Sequence, residues 1–150
     1  PIGSVKLTEM FIKSDPPADE EIILMRDFIK STLNLSFKKN IQSVIGTAGT
    51  ITTLGSIAIG LQEWDKKQIH GFKLSRERID GISQYLLGKT ISERSDLPGM
   101  EKGREDIIPQ GIILLQEILK YFGAEELTID ANGIRHGILC DRFASFNDIA

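Results

Sequence analysis

Apolar residues recur along this chain with different rhythms, and the rhythm changes mark the elements. Between residues 19 and 33, Ile22, Met25, Ile29 and Leu33 fall three to four apart, the spacing of one helical stripe. Asp19, Glu20 and Glu21 occupy its first turn, where the helix dipole favours carboxylates. Asp15-Pro16-Pro17 ahead of it reads as a stop followed by a helix start. Residues 2–12 alternate loosely through Val5, Leu7, Met10 and Ile12, which predicts a strand at a sheet edge. Residues 34–40 are a connection. A short buried strand is predicted over 42–45. After it, 50–61 is apolar almost all round and predicts a helix inside the domain. Residues 62–73 form a polar connector around Trp64 and His70-Gly71.

Ser75 is a candidate N-cap for a helix to 87 with Ile79, Ile82 and Leu86 inward, and Gly88 a candidate stop. Thr90-Ile91-Ser92-Glu93 matches a capping box. Leu97-Pro98-Gly99-Met100 is a turn, and 101–104 a polar loop. Asp106 is a candidate cap, and Pro109 fits the first turn of a helix to about 122. A strand over 126–129, a Gly-containing turn over 130–133 and a helix over 134–143 close the pattern. Strands alternating with helices predict a layered α/β domain, with few strands for so many helices. There is no internal repeat, low-complexity tract or linker.

Composition narrows this little. The chain has 150 residues, 41% of them hydrophobic and 26% charged, a composition typical of one globular domain. No apolar run is long enough to cross a bilayer, so no membrane role is expected. The first residues, Pro1-Ile2-Gly3-Ser4-Val5, carry neither a basic nor an apolar leader region, and no initiator Met. A processed or excised chain is therefore expected. Cys140 is the only cysteine; it cannot form an internal disulfide, and this suits a reducing cytoplasm. It reads most simply as a core-facing helix residue. The net charge of −3 argues against charge-driven nucleic-acid binding. Any anion site must be local.

The stretch Val44-Ile45-Gly46-Thr47-Ala48-Gly49-Thr50 offers such a site. It is not a Walker A loop, because no lysine follows the glycine, and its glycines miss the dinucleotide-binding spacing. It does supply backbone N–H groups at a helix N-terminus, with the hydroxyls of Thr47 and Thr50 beside them. An ordinary buried strand-to-helix turn has the same residues.

Six segments taken in order carry more information. They are PIGSVKLTEMF, then DPP before a helix, VIGTAGTITTLGSIAIGL, HGFKLSRERI, TISERSDLPGMEKGREDIIPQGIILLQEIL and LTIDANGIRHGIL. Their order and spacing resemble the second core domain of the Ppx/GppA phosphatases, the exopolyphosphatase and guanosine pentaphosphate phosphohydrolase family. The resemblance runs from Pro1 to about Phe143. It implies an actin-like, ribonuclease-H-like α/β fold, with helices packed on a mixed sheet that lacks its first strands. Residues 1–150 would then be a single domain, the C-terminal part of the catalytic core.

The resemblance further implies hydrolysis of terminal phosphoanhydride bonds in polyphosphate or guanosine pentaphosphate by in-line attack of water, with magnesium, expected in the parent enzyme and bound by no residue identifiable in this chain, offsetting charge. The family's Asp-x-Gly-Gly-Gly-Ser-type loop and its catalytic glutamate lie outside this chain. No catalytic residue is therefore expected within it, and the chain alone is expected to be inactive. Phosphate would be held by Gly46, Thr47, Gly49, Thr50 and Arg104, with the N–H groups of 47–51 as donors. Arg104 has a surface alternative, pairing with Glu101 or Glu105.

Lys6 and Arg135 are possible cleft cations. An equal reading of the first is a guard on a strand edge, and the alternative for the second is an ion pair with Asp130 or Asp141. Where the family's turn reads Gly-Gly, this chain has Ala48-Gly49. His70 has no second His or Cys near it to make a metal site; His136, where the family usually has Glu, reads as a surface residue and not a general base; Lys102 reads as solvated. Asp15, Glu20 and Glu21 read as helix-start charges. An exposed sheet edge would invite homodimers. The rival reading is a non-catalytic module of the same fold that senses a phosphorylated ligand.

Overall fold

A computed structural model describes residues 2–33, 41 and 43–143. The connection expected over 34–40 and the first residue of the strand expected over 42–45 lie outside them.

The chain opens with two helices, α1 (Ser4–Phe11) and α2 (Asp19–Thr32). The first corrects the strand expected over 2–12. Its inward residues are Leu7 and Phe11, four apart, with Leu7 fully buried and Phe11 against Phe28 at 5.3 Å between ring centroids. Val5 and Met10, two of the apolar positions from which the strand was predicted, are 52% and 45% exposed. Lys6 therefore sits on a helix surface and not on a strand.

At the start of α2 the Glu21 carboxylate accepts the N–H groups of Lys13, Ser14 and Ala18 and the Ser14 hydroxyl. These bonds, the hydroxyl first, hold its pKa below the ordinary carboxylate value.

The remaining elements are β1 (Ser43–Gly46), α3 (Gly49–Ile59), α4 (Lys66–Ile69), β2 (Lys73–Ser75), α5 (Arg76–Leu87), α6 (Ile91–Ser95), α7 (Ile108–Phe122), β3 (Glu126–Ile129) and α8 (Ile134–Phe143). The described strands form one mixed sheet in the order β1-β3-β2. β1 runs parallel to β3, with Ser43 opposite Glu126 and Gly46 opposite Ile129. β2 runs antiparallel on the other side of β3, with Lys73 opposite Thr128.

Capping follows the sequence at two helices. The Ser75 hydroxyl accepts the Arg78 N–H at α5, and Thr90 with Glu93 forms the expected box at α6. The α7 start differs. Its N-cap is Ile107, with no side-chain cap; the Arg104 carbonyl instead accepts the N–H groups of Ile107 and Ile108 at 3.0 and 2.9 Å. Asp106 does not cap it.

α7 is the central element. One side packs Ile108, Ile112 and Leu119 with Leu54, Leu74, Ile79, Leu127 and Ile129 from α3, α5 and the sheet. The other packs Ile113 with Leu7, Met25 and Ile29 from α1 and α2. Each such side chain contributes roughly 1.5–3 kcal/mol by leaving water. α3 lies inside, as expected, and approaches α7 closely: a Cβ on Gly111 would come 2.6 Å from Thr50 Cγ2.

Asp15 does not serve the start of α2. It accepts the Ile91 N–H at 2.9 Å and pairs with Arg94 at 3.2 Å, tying the first two helices to α6. Burial pulls the Arg94 pKa down, and Asp15 opposes that shift.

Candidate phosphate-binding site

The site grows from the turn between β1 and α3. The Gly46 carbonyl accepts the Asp130 N–H at 2.7 Å, and the Thr47 hydroxyl donates to the Asn132 carbonyl at 2.9 Å. Both bonds fasten the turn to the end of β3. Ala48 then adopts φ 75° and ψ 176°, a region that glycine alone enters cheaply. Its carbonyl accepts the N–H groups of Ile51 and Thr52, each at 3.0 Å. That leaves the N–H groups of Gly49 and Thr50 at the α3 start with no acceptor among the described residues.

A second wall comes from the loop before α7. Gly99, at φ +84°, lies so close to the Ser56–Ile57 backbone that any Cβ would overlap it. This contact lays the loop along α3 and carries Arg104 over the α3 N-terminus. A Cβ on Gly49 would run into the Arg104 guanidinium. The Arg104 Nε donates to Glu101 Oε2 at 2.6 Å, and the same oxygen accepts the Thr53 hydroxyl at 3.0 Å.

The cavity between these walls has a volume of about 520 Å³. Thr47, Ala48, Gly49, Thr52, Thr53 and Ser56 form one side; Gly99, Met100, Glu101 and Arg104 form another. Leu61, Gln62, Glu63, Trp64, Ala131 and Gly133 complete it. Trp64, the chain's only tryptophan, is 60% exposed at the rim. The positive end of a helix dipole and a guanidinium thus meet where the two walls join, with the Glu101 carboxylate on the guanidinium's Nε. Two like poles brought together in this way favour an anion between them.

Residues 1–146 match the Ppx/GppA phosphatase family. The chain belongs to that family. It is 30% identical over 145 residues to exopolyphosphatase 2 of Mycobacterium tuberculosis, covering 91% of this chain and 46% of that protein. It is 34% identical over 137 residues to a bifunctional 3-dehydroquinate synthase/phosphatase of Fusobacterium nucleatum, covering 87% of this chain and 20% of that one. The Aquifex aeolicus Ppx/GppA phosphatase superposes with a TM-score of 0.89 at 31% identity, over 95% of this chain and 48% of that one. The chain thus spans about half the length, or less, of the relatives it matches. The fold is the actin-like α/β fold of Ppx/GppA structures, with helices on a mixed sheet.

Of the residues the family resemblance pointed to, Thr47, Gly49 and Arg104 line the cavity together. Gly46 and Thr50 do not. The Gly46 Cα faces the Leu127 and Ile51 side chains, and the Thr50 side chain packs on Gly111; only the Thr50 N–H is left without an acceptor among the described residues. Ile51, expected among the donors, spends its N–H on the Ala48 carbonyl. Lys6 on α1 is not part of the lining. Arg135 is exposed on α8, two residues beyond the lining residue Gly133.

Cys140 is not core-facing, because α8 buries none of its residues. His70 lies 3.1 Å from Asp130. Among the described residues no three His, Cys, Asp or Glu side chains cluster as a metal site.

The Arg104–Glu101 pair is the surface alternative that the sequence offered; sequence reasoning missed Thr52, Thr53, Ser56 and Trp64 as lining residues. The hydroxyls at 52, 53 and 56 have helical spacing, but in an apolar stretch they read as filler.

Proposed function

We propose that this chain supplies the phosphate-binding wall of a phosphatase acting on terminal phosphoanhydride bonds. The observation that carries the reading is that Gly49 and Arg104 line one cavity with the guanidinium against Gly49, at a helix start where the Gly49 and Thr50 N–H groups have no acceptor among the described residues. Fixed donors of this kind stabilise the charge that builds on equatorial phosphoryl oxygens during in-line attack by water. A carboxylate from outside this chain would orient that water. Magnesium, when bound, would offset the charge of the phosphates; it takes oxygen ligands, often one or two carboxylates plus phosphate. Of the two carboxylates that line the cavity, Glu63 and Glu101, Glu101 is already engaged by Arg104 and Thr53.

Two substrates fit the family, polyphosphate and guanosine pentaphosphate. Among the lining residues, the side chains of Leu61, Trp64 and Met100 offer nothing to a linear polyanion, and the Trp64 indole offers a stacking surface to a planar ring. It favours the guanosine compound.

The test is calorimetric titration of the chain with tripolyphosphate and with guanosine pentaphosphate, alongside a phosphate-release assay. The reading expects both ligands to bind, the nucleotide more tightly and with a change in Trp64 emission, and expects no turnover by the chain alone. Failure of both ligands to bind overturns the reading. Phosphate release by the isolated chain would show that it carries its own catalytic group. Binding without turnover even after the family's remaining length is supplied would favour the rival reading, a sensing module without chemistry.

A further inference from the structure

We infer that Glu101 and Thr53 are positioning residues that hold the Arg104 guanidinium over the α3 N-terminus; the inference rests on the proposed phosphate-binding wall. An arginine side chain loses much rotamer freedom when it must grip a ligand. Here that loss is met in advance. The Arg104 backbone is fixed at both ends: its N–H donates to the Glu101 carbonyl at 3.1 Å, and its carbonyl accepts the Ile107 and Ile108 N–H groups.

The side chain is then fixed by one carboxylate oxygen. Glu101 Oε2 takes the Arg104 Nε at 2.6 Å and the Thr53 hydroxyl at 3.0 Å. Thr53 is 1% exposed on the buried side of α3, so it anchors the half-exposed carboxylate to a rigid helix. With Nε occupied, the guanidinium presents its two terminal nitrogens, which lie over Gly49. A guanidinium can grip an oxyanion in two ways, through Nε with one terminal nitrogen or through both terminal nitrogens. Glu101 selects the second.

Glu101 also brings a negative charge close to an anion site. A pure charge effect and a positioning effect therefore have opposite signs, and this separates them. Thr53→Val keeps size and charge and removes only the anchor. It should weaken tripolyphosphate binding about tenfold, the scale of one side chain no longer held in place. Thr53→Ser should restore binding. In an Arg104→Ala background Thr53→Val should change binding no further, because its effect passes through the guanidinium.

The experiment is a calorimetric double-mutant cycle of this chain with inorganic tripolyphosphate, with urea unfolding of each variant as a check on folding. If Thr53→Val leaves affinity unchanged, or lowers it equally with and without Arg104, the positioning inference is overturned while the phosphate-binding reading stands. If the parent chain binds no tripolyphosphate, both fall. If the parent binds and Arg104→Ala has no effect, Arg104 is not the gripping cation and the positioning inference falls with it.

Discussion

Gly49→Ala separates the anion site from the stability of the fold. The residue is the first of α3, and its backbone is not in the left-handed region. Alanine therefore costs nothing in backbone strain there, and in a helix it is intrinsically favoured over glycine by up to about 1 kcal/mol. The nearest atoms to the added Cβ all belong to the tip of Arg104. A guanidinium at the end of a flexible side chain can swing away, so the change moves the cation and spares the helix. A hydrogen bond to a charged group contributes roughly 1.5–3 kcal/mol, which corresponds to a loss of roughly 10- to 100-fold in affinity.

Calorimetry with tripolyphosphate reads that loss, and urea unfolding should place the variant within about 1 kcal/mol of its parent. Arg104→Gln should lose a similar amount, and combining the two should cost little more than either alone. A Gly49→Ala protein that binds as tightly as its parent would refute the placement of the guanidinium. One that unfolds would refute the view that only a side-chain tip occupies the space.

Three further outcomes follow from the same geometry. Ala48→Gly should stabilise the chain by about 1 kcal/mol in urea unfolding, because relief of roughly 1–3 kcal/mol of backbone strain outweighs the added entropy of an unfolded glycine. Gly99→Ala should destabilise it by about 3 kcal/mol or more, since it combines φ +84° with a Cβ driven into the Ser56 backbone; near-parental stability would show that the loop does not rest on α3. Stability should also fall in acid as Glu21 and Glu93 protonate. Both pKa values lie below the ordinary 4.5, Glu21 through the Ser14 hydroxyl first and Glu93 through the Thr90 N–H first. The unfolded chain then takes up these protons first, so the contribution is complete above pH 4.5 and is lost as pH drops through the folded values. Glu21→Gln and Glu93→Gln should flatten that part of a pH–stability curve.

The sequence revealed those parts of the fold where one residue type has one strong local use. Thr90 and Glu93 could be read as a reciprocal cap, and α7 as a helix, because its apolar positions recur over fifteen residues. The first helix was illegible because only Leu7 is buried in its eight residues, too few to set a period. β2 escaped because it has three residues and one buried side chain, Leu74. At the site, the Gly-Thr turn announced itself, but its donors could not be counted from letters. Whether Ile51 or Thr50 keeps a free N–H depends on the Ala48 dihedral angles. The link from Thr53 to Glu101 spans 48 positions and follows only from the Gly99 contact that folds one segment onto the other.

The claim beneath all of this is that an oxyanion sits against the Gly49 and Thr50 amides and Arg104. Amide nitrogen–proton correlation spectra of the labelled chain during a tripolyphosphate titration test it most directly. The account predicts that the Gly49 and Thr50 amide signals and the Arg104 terminal Nη signal shift together with a single dissociation constant. Saturation by tripolyphosphate with those three signals unmoved, and shifts confined to other surfaces, would contradict it.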